Sequence, residues 1–419
     1  NGHLAKTGND ESFSKPIDSS QDPFTIGKNV STDKEFFNGD LDEVRLFNIA
    51  LSDNQIQKIV YQEIKEDEGS VAGVIIPKII KDDITKDNIS WSSLVAYYPM
   101  SNIISSTTKD FSSYDNTAKL YNAKTVKAQT APMPFKTKSD GAWIDKENWL
   151  EDVWDTEELK DSYFTIVQVS HDVEVNTSIK TSGLILDSGK TITVKGNHEL
   201  KNSYYLELNG TIDLMNDSQL VQTENSDLVT SSEGKVLRRQ EGTSNAFWYN
   251  YWASPVGVKE ATTLTNNNAS TNNLNNSDFS LDMLKDDSGF NTQFTGNYTA
   301  DGNISTYWLY TFVNGTTYWD WAQITPSTQL RPGIGYTQKG TGVPTDSQQY
   351  IFEGKPNNGT ILVPVEDKGG PGSVAGKSKT EFLFGNPYAS AIDVVKFIDD
   401  NEGIIDGTIQ LWKQWRGAS

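Results

Sequence analysis

The 419-residue sequence has no cysteine, which excludes disulfide staples, thiol nucleophiles and thiolate metal sites. Histidine is nearly absent. The three residues His3, His171 and His198 are widely scattered, so no zinc or iron centre is expected. Positive charge is also short: 36 Lys and Arg face 56 Asp and Glu, a formal net charge of −20. That balance opposes nucleic acid and anionic membrane as partners. No apolar run reaches the roughly 20 residues of a membrane helix; with neither an initiating Met nor a secretory leader among these residues, the chain is expected to be an interior piece of a longer protein whose sorting signals lie outside it. There is no Gly-x-Ser-x-Gly nucleophile elbow. The glycine clusters Gly333-Ile334-Gly335 and Gly369-Gly370-Pro371-Gly372 lack the Lys-Ser/Thr of a phosphate loop and read as turns. Helical runs of Ala and Leu are scarce while Gly, Asn, Ser, Thr and Asp abound, so the chain reads as mostly β.

What is present is a period. Between Phe164 and Arg239 the runs Leu184-Ile185-Leu186, Ile192-Thr193-Val194 and His198-Glu199-Leu200 are followed by Leu206-Glu207-Leu208, Ile212-Asp213-Leu214 and Leu220-Val221-Gln222. Each run follows its counterpart by about 20 residues, a solenoid spacing. Leu228-Val229 and Val236-Leu237 open a third, less regular set. Turn formers such as Asp187-Ser188-Gly189, Lys195-Gly196-Asn197 and Asn209-Gly210 separate the runs. Three short strands per repeat describe a parallel β-helix, whose coils bury their apolar faces only by stacking. Leu184, Ile192, Leu206, Leu208, Ile212 and Leu220 are the expected inward residues; the alternative is an antiparallel sandwich with coincidental spacing.

The fold expected is therefore a partial jelly-roll sandwich, a short parallel β-helix (solenoid), and an antiparallel β-sandwich. Residues 1–65 read as late sandwich strands, Phe24 to Gly27 and Gly39 to Phe47, then a helix with an apolar stripe of Ile56, Ile59, Val60 and Ile64. Ser52 and Gln55 form its capping box. Residues 66–134 form a charged connector leading to two further strands, Leu94 to Met100 and Asp110 to Asn116. Residues 135–240 form the β-helix, with Trp143, Trp149 and Trp154 in a cap over its first coil. Residues 241–419 read as a truncated sandwich. Its strands include Ser305 to Phe312, Thr317 to Trp321, Gly335 to Lys339, Gln349 to Gly354 and Thr360 to Val363, and a short helix runs from Ile392 to Asp399.

Two resemblances sharpen this. Phe37-Asn38-Gly39-Asp40-Leu41-Asp42-Glu43-Val44-Arg45-Leu46-Phe47 and Ala50-Leu51-Ser52-Asp53-Asn54-Gln55-Ile56 resemble the C-terminal half of a laminin-G-like, concanavalin-type jelly roll. The resemblance implies that Asp42, Glu43 and Arg45 are structural. It allows calcium as the one metal to consider, through loops mostly missing here; no other cofactor is expected. The paired-carboxylate signature of the related glycanases is absent. Gln219 to Leu228, Tyr249-Asn250-Tyr251-Trp252-Ala253-Ser254-Pro255-Val256, Gly354 to Gly359 and Gly385-Asn386-Pro387-Tyr388 resemble large surface proteins of Bacteroidota exported by the type IX secretion system. That implies an extracellular, cell-surface, adhesin-like protein that meets the secretion machinery during export, and it implies no catalytic activity.

For chemistry the candidates are few. On the solenoid, Glu207 and Asp213 could lie close together, but exposed acids there usually serve solubility. Aromatics are the other resource: Trp308, Trp319, Trp321, Trp412 and Trp415 fill a core or stack on a sugar ring, and Trp319, Trp321 and Trp412 are the candidate glycan-stacking residues. The expected function is a non-enzymatic exported surface protein, an adhesin-like stalk or interaction module whose partners are glycans or surface proteins. The alternatives are a carbohydrate-binding protein and a β-helix glycanase or lyase. Asn1-Gly2 resembles a turn lacking its first strand, and Thr408 to Trp412 a strand lacking its partner, so unfinished sheets are expected at both ends. Hydrogen exchange should then be slow across 184–237 and fast across 1–47 and 405–419. Uniform protection of all three in the isolated monomer would contradict the expectation.

Overall fold

The computed structural model describes residues 24–28, 36–101, 103–121, 133–150, 161–258, 260–267, 271–289, 291–368, 380–405, 407 and 409. The chain divides into two compact units, 1–133 and 134–419.

The first unit is organised by a helix and the arginine beneath it. Ser52 caps the helix Asp53–Val60: its Oγ accepts from Gln55 N, and Gln55 Oε1 accepts from Ser52 N at 3.0 Å, the capping box the sequence predicts. The helix stops short of Ile64, which instead opens the strand Ile64–Asp67. Of the predicted stripe, Ile59 and Ile64 are buried while Ile56 faces out. Arg45 satisfies one carbonyl in the last turn of the helix and one just beyond it, donating to Ile59 O and Gln62 O at 2.7 Å each. Its guanidinium also pairs with Glu43, which accepts from the Tyr97 hydroxyl at 2.9 Å. Burial pushes the Glu43 carboxyl above its ordinary value, against the opposing pull of Arg45 and Tyr97. To reach that pair Glu43 adopts a left-handed φ of 49°, and this breaks the strand expected from Gly39. Only Val44–Phe47 remains, paired antiparallel with Leu94–Tyr98. Phe24 to Gly27 forms no strand either.

The core of this unit joins Ile59, Ile64, Val71, Ile80, Ile89, Leu94 and Tyr97, with Phe47, Leu51 and Trp91 packed against them. The segment Asp110 to Asn116, expected as a strand, is a loop wound around one carboxylate. Asp110 accepts from the backbone amides of Tyr97, Ser112 and Asn116 at 2.8–2.9 Å and from the Ser112 hydroxyl.

The second unit is built on the predicted solenoid. Its first sheet runs in the order Gln219–Gln222, Glu199–Leu208, Ile179–Leu186, Asp161–Val169, Phe135–Lys136, with Asp227–Thr230 also on Glu199–Leu208. All these pairs are parallel. The second parallel series runs Lys235–Thr243, Thr211–Leu214, Thr191–Val194, Val173–Val175, Gly141–Ala142. Register places like on like: Val167, Leu184, Leu206 and Leu228 form one column, and Val173, Ile192, Ile212 and Val236 another. All six residues expected to point inward are buried. His198-Glu199-Leu200, read as a separate strand, leads into one ten-residue strand, Glu199–Leu208. A register shift in the pairing with Ile179–Leu186 turns that strand through a corner at Asn202.

The corner is polar and satisfied. Asn202 is fully buried and donates to Thr181 Oγ1, Ser182 O and Tyr205 O at 3.3, 3.1 and 2.9 Å. Its Oδ1 accepts from Ser226 of the next coil.

Both ends are closed. At the first, Phe135–Lys136 and Gly141–Ala142 each add a short strand, and Trp143 and Trp149 sit buried edge to face, centroids 5.1 Å apart. Trp149 Nε1 donates to Trp143 O at 2.9 Å. This is the expected cap, and it leaves neither indole open to a sugar; Trp154 lies outside the described residues. At the other end, Ser347–Pro356 pairs antiparallel with Lys235–Thr243 over eight residues, so a parallel sheet finishes on an antiparallel strand. Elsewhere side chains replace a strand: Leu228 N donates to Asn267 Oδ1 at 3.1 Å, and Asn267 Nδ2 donates to Leu228 O at 2.7 Å.

An antiparallel sheet in the order Tyr249–Trp252, Tyr336–Lys339, Tyr310–Thr311, Ala322–Gln323 supplies the second layer. Aromatic rings join it to Ser347–Pro356: Trp252 meets Tyr350 and Phe352 at 5.1 and 5.4 Å, and Phe279 lies between Phe352 and Tyr336. Three expected strands differ. Thr306–Trp308 is a single 3-10 turn between two-residue strands, Tyr318–Asp320 is another, and Thr360 to Val363 is irregular. The last helix is Val394–Asp400, started by Asp393, whose Oδ1 accepts from Val395 N and Lys396 N. Asn1-Gly2 and Trp412 lie outside the described residues.

Leu208→Asp places an unpaired charge in the buried column of Val169, Leu186 and Leu208 and should cost more than about 4 kcal/mol. Gly234→Ala should cost about 2 kcal/mol or more, because a Cβ there would stand 1.8 Å from Leu208 O. Urea unfolding measures both, and near-native stability of either variant would contradict the stacking described.

Candidate functional site

A concentration of exposed aromatic side chains lies on the second layer. Antiparallel register sets Tyr249 opposite Lys339, and the lysine reaches across to its neighbours' rings. Lys339 Nζ stands 3.3 Å from the Trp308 centroid and 4.8 Å from that of Tyr249. Burial holds the Lys339 ammonium below its ordinary pKa, and the ring faces stabilise its charge. Trp308 is fixed in turn: its Nε1 donates to Tyr298 O at 3.0 Å, and Tyr298 and Tyr307 pack edge-on at 4.8 Å each. Burial pushes the Tyr249 hydroxyl up to about 12, helped by Tyr251, Tyr318, Tyr310 and Tyr298 nearby.

Around this fixed centre stand the open rings. Tyr298 and Tyr307 are exposed, and Tyr318 and Trp319 protrude, Trp319 being 85% exposed. The 3-10 turn at Tyr318–Asp320 causes that projection. Asp320 Oδ2 accepts from Thr316 N and Thr317 N at 2.7 and 2.8 Å, and these backbone bonds hold its carboxyl below the usual range. A strand would have set Trp319 and Trp321 on one face. The turn separates them: Trp321 is half-buried against Phe312, centroids 4.9 Å apart, while Trp319 leans on Tyr318. Trp412, the third predicted stacking residue, lies outside the described residues, as does Trp415. Nothing local in the sequence brings Tyr249, Tyr298, Tyr307 and Lys339 together. Aromatic density was visible, but the pairing of Tyr249 with Lys339 spans ninety residues of chain.

The acids considered for catalysis are kept apart. Glu207 belongs to the first parallel series and Asp213 to the second. Glu207 accepts from the Tyr205 hydroxyl at 3.1 Å and Asn209 Nδ2 at 2.9 Å. Asp213 is held by Arg239 in a two-pronged pair, Nε to Oδ1 and Nη2 to Oδ2, both 2.8 Å. His171 Nδ1 lies 3.0 Å from Thr137 Oγ1. Among the described residues no three His, Cys, Asp or Glu side chains gather in metal-binding geometry, and no helix is long and apolar enough to cross a membrane.

Trp319→Ala should leave stability within about 0.5 kcal/mol, whereas Trp308→Ala, which strips the cover from Lys339, should cost about 2 kcal/mol or more. Equal losses on urea unfolding would show that Trp319 is a packing residue and not an open ring.

Comparison with known proteins adds two matches. Residues 1–57 are similar to the concanavalin A-like lectin/glucanases superfamily, a span that includes the strand Val44–Phe47 and the start of the capped helix. No curated protein and no solved structure matches the chain. The other match, to a domain of unknown function, DUF8693, covers residues 134–419, the whole of the second compact unit and more than half of the chain. By that match over more than half of its length, the chain belongs to the DUF8693 family.

Proposed function

We propose that this chain is a non-enzymatic part of an exported cell-surface protein, an adhesin-like stalk or interaction module that presents a binding face to the cell's surroundings. The observation that carries the reading is the aromatic surface: open rings at Tyr298, Tyr307, Tyr318 and Trp319 surround a centre fixed by Lys339 and Trp308. Open rings on short turns beside a sheet are costly to leave in water and suit recognition. Stacked coils closed at both ends give that surface a stiff support. The type IX-like strings from Gln219 to Tyr388 support an extracellular place, reached through that secretion machinery. Its partners are glycans or surface proteins, and the net charge of −20 disfavours nucleic acid and membrane insertion.

A second reading, carbohydrate binding, is favoured by Trp319, since an open indole stacks on the apolar face of a sugar. Hydrolysis or elimination is disfavoured because Glu207 and Asp213 are each engaged and face different sheets. Protease treatment of intact producing cells should remove the protein, and purified 1–419 should release no new reducing ends or unsaturated sugars from neutral or acidic polysaccharides. Protection in intact cells would overturn the surface assignment. Turnover abolished by Glu207→Gln or Asp213→Asn would overturn the non-enzymatic one.

A further inference from the structure

A recess lies where the solenoid ends. Residues 356–360 and 388–390 cross its last coil and leave a cleft of about 220 Å³. Its frame is tied down. Leu220 N donates to Ala389 O at 3.0 Å, Asn358 Nδ2 to Ser226 O at 2.8 Å, and Ala391 N to Gln219 Oε1 at 2.7 Å. A single water needs only about 10–15 Å³, so one ordered water does not fill the space. Pockets for drug-sized ligands span roughly 300–1,000 Å³, so the cleft suits something the size of one ring.

Its chemistry is one-sided. Leu220, Pro356 and the Tyr388 ring supply an apolar wall, and Gln222, Glu224 and Asn357 the polar one. Three side-chain donors of that lining are engaged inside the protein. Asn357 Nδ2 donates to Pro387 O at 2.9 Å, Gln222 Nε2 to Ser226 Oγ at 3.2 Å, and the Tyr388 hydroxyl to Gly359 O at 2.8 Å. Acceptors remain. Asn357 is 4% exposed, and its buried Oδ1 has no partner among the described residues. The bond to Pro387 O fixes which way the amide points, so that oxygen cannot be exchanged for the NH₂ group. Glu224 is exposed at the rim. A buried acceptor without a donor is unfavourable, and the occupant that relieves it must donate hydrogen bonds while offering an apolar face to Tyr388. A divalent cation would need several oxygen ligands and usually more than one carboxylate, and among the described residues Glu224 is the only carboxylate in the lining.

We propose that this cleft binds one neutral pyranose unit of a glycan, its hydroxyls donating to Asn357 Oδ1, Gln222 and Glu224 and its apolar face lying on Tyr388. The cleft shares no residue with the aromatic surface, so this inference goes beyond the reading above and does not depend on it. Isothermal titration of purified 1–419 with glucose, galactose, mannose and N-acetylglucosamine, each as the free sugar, tests it. At least one should bind. That affinity should fall roughly tenfold in Tyr388→Ala and in Glu224→Ala and stay unchanged in Trp319→Ala. If Tyr388→Ala does not fold, Glu224→Ala carries the test, because Glu224 is exposed. Binding by none of the four sugars would overturn the proposal. So would binding that survives both cleft variants and disappears in Trp319→Ala, a result that moves glycan recognition to the aromatic surface. Heat evolved with calcium chloride alone, and lost in Glu224→Ala, would overturn it as well.

Discussion

Vertical stacking of like side chains in parallel register is the constraint on which the second unit depends. Leu184, Leu206 and Leu228 sit above one another because parallel pairing aligns equivalent positions in successive coils. A one-residue slip would turn each column toward solvent. The column of Val173, Ile192, Ile212 and Val236 imposes the same register on the second series. Between the faces the chain must bend, and there the stack becomes polar. Asn202 joins Thr181 of one coil to Ser226 of the next and satisfies two carbonyls at the corner. Buried amides of this kind are tolerated only when fully paired. Glycine completes the geometry at the opposite turn, where the Leu208 carbonyl approaches Gly234 too closely for any side chain.

An open solenoid exposes strand edges and core at each end. The first end is closed by hydrophobic mass, with the indoles of Trp143 and Trp149 set edge to face. The other is closed by changing strand direction. Ser347–Pro356 runs against Lys235–Thr243, and the aromatic residues on it, Tyr350 and Phe352, become the floor on which Trp252 and Phe279 rest. One strand thus serves both as cap for the coil and as base for the second layer. The aromatic surface stands on that layer and the cleft beside the last coil, so both candidate sites are products of how the solenoid is terminated.

The division of roles among charged groups follows from the same plan. Acids on the coil are either engaged, as Asp213 is by Arg239, or exposed and separate, which favours solubility and discourages edge pairing. The buried cation at the aromatic surface is stabilised by rings instead of a carboxylate. In the first unit Arg45 does the reverse: a buried guanidinium is shared between Glu43 and two helix-end carbonyls, and its role there is to hold a strand against a helix.

The sequence by itself determined the features with a local or periodic origin. The repeat from Leu184 to Val236 specified coil length and inward face, because an apolar side chain at every second position has one way to be buried. Ser52 with Gln55 specified a helix start, because both partners of the cap lie within one turn. Tertiary structure decided the rest. Whether His198 to Leu208 is one strand or two depended on a corner amide that finds its partners in other coils. Whether Thr317 to Trp321 is a strand depended on Asp320 capturing the amides of Thr316 and Thr317, which set Trp319 in solvent and Trp321 against Phe312. The separation of Glu207 from Asp213 was invisible in spacing, since six residues suffice to cross from one sheet to the next. The aromatic surface and the cleft join residues far apart along the chain, and only the folded backbone brings such groups within reach of one another.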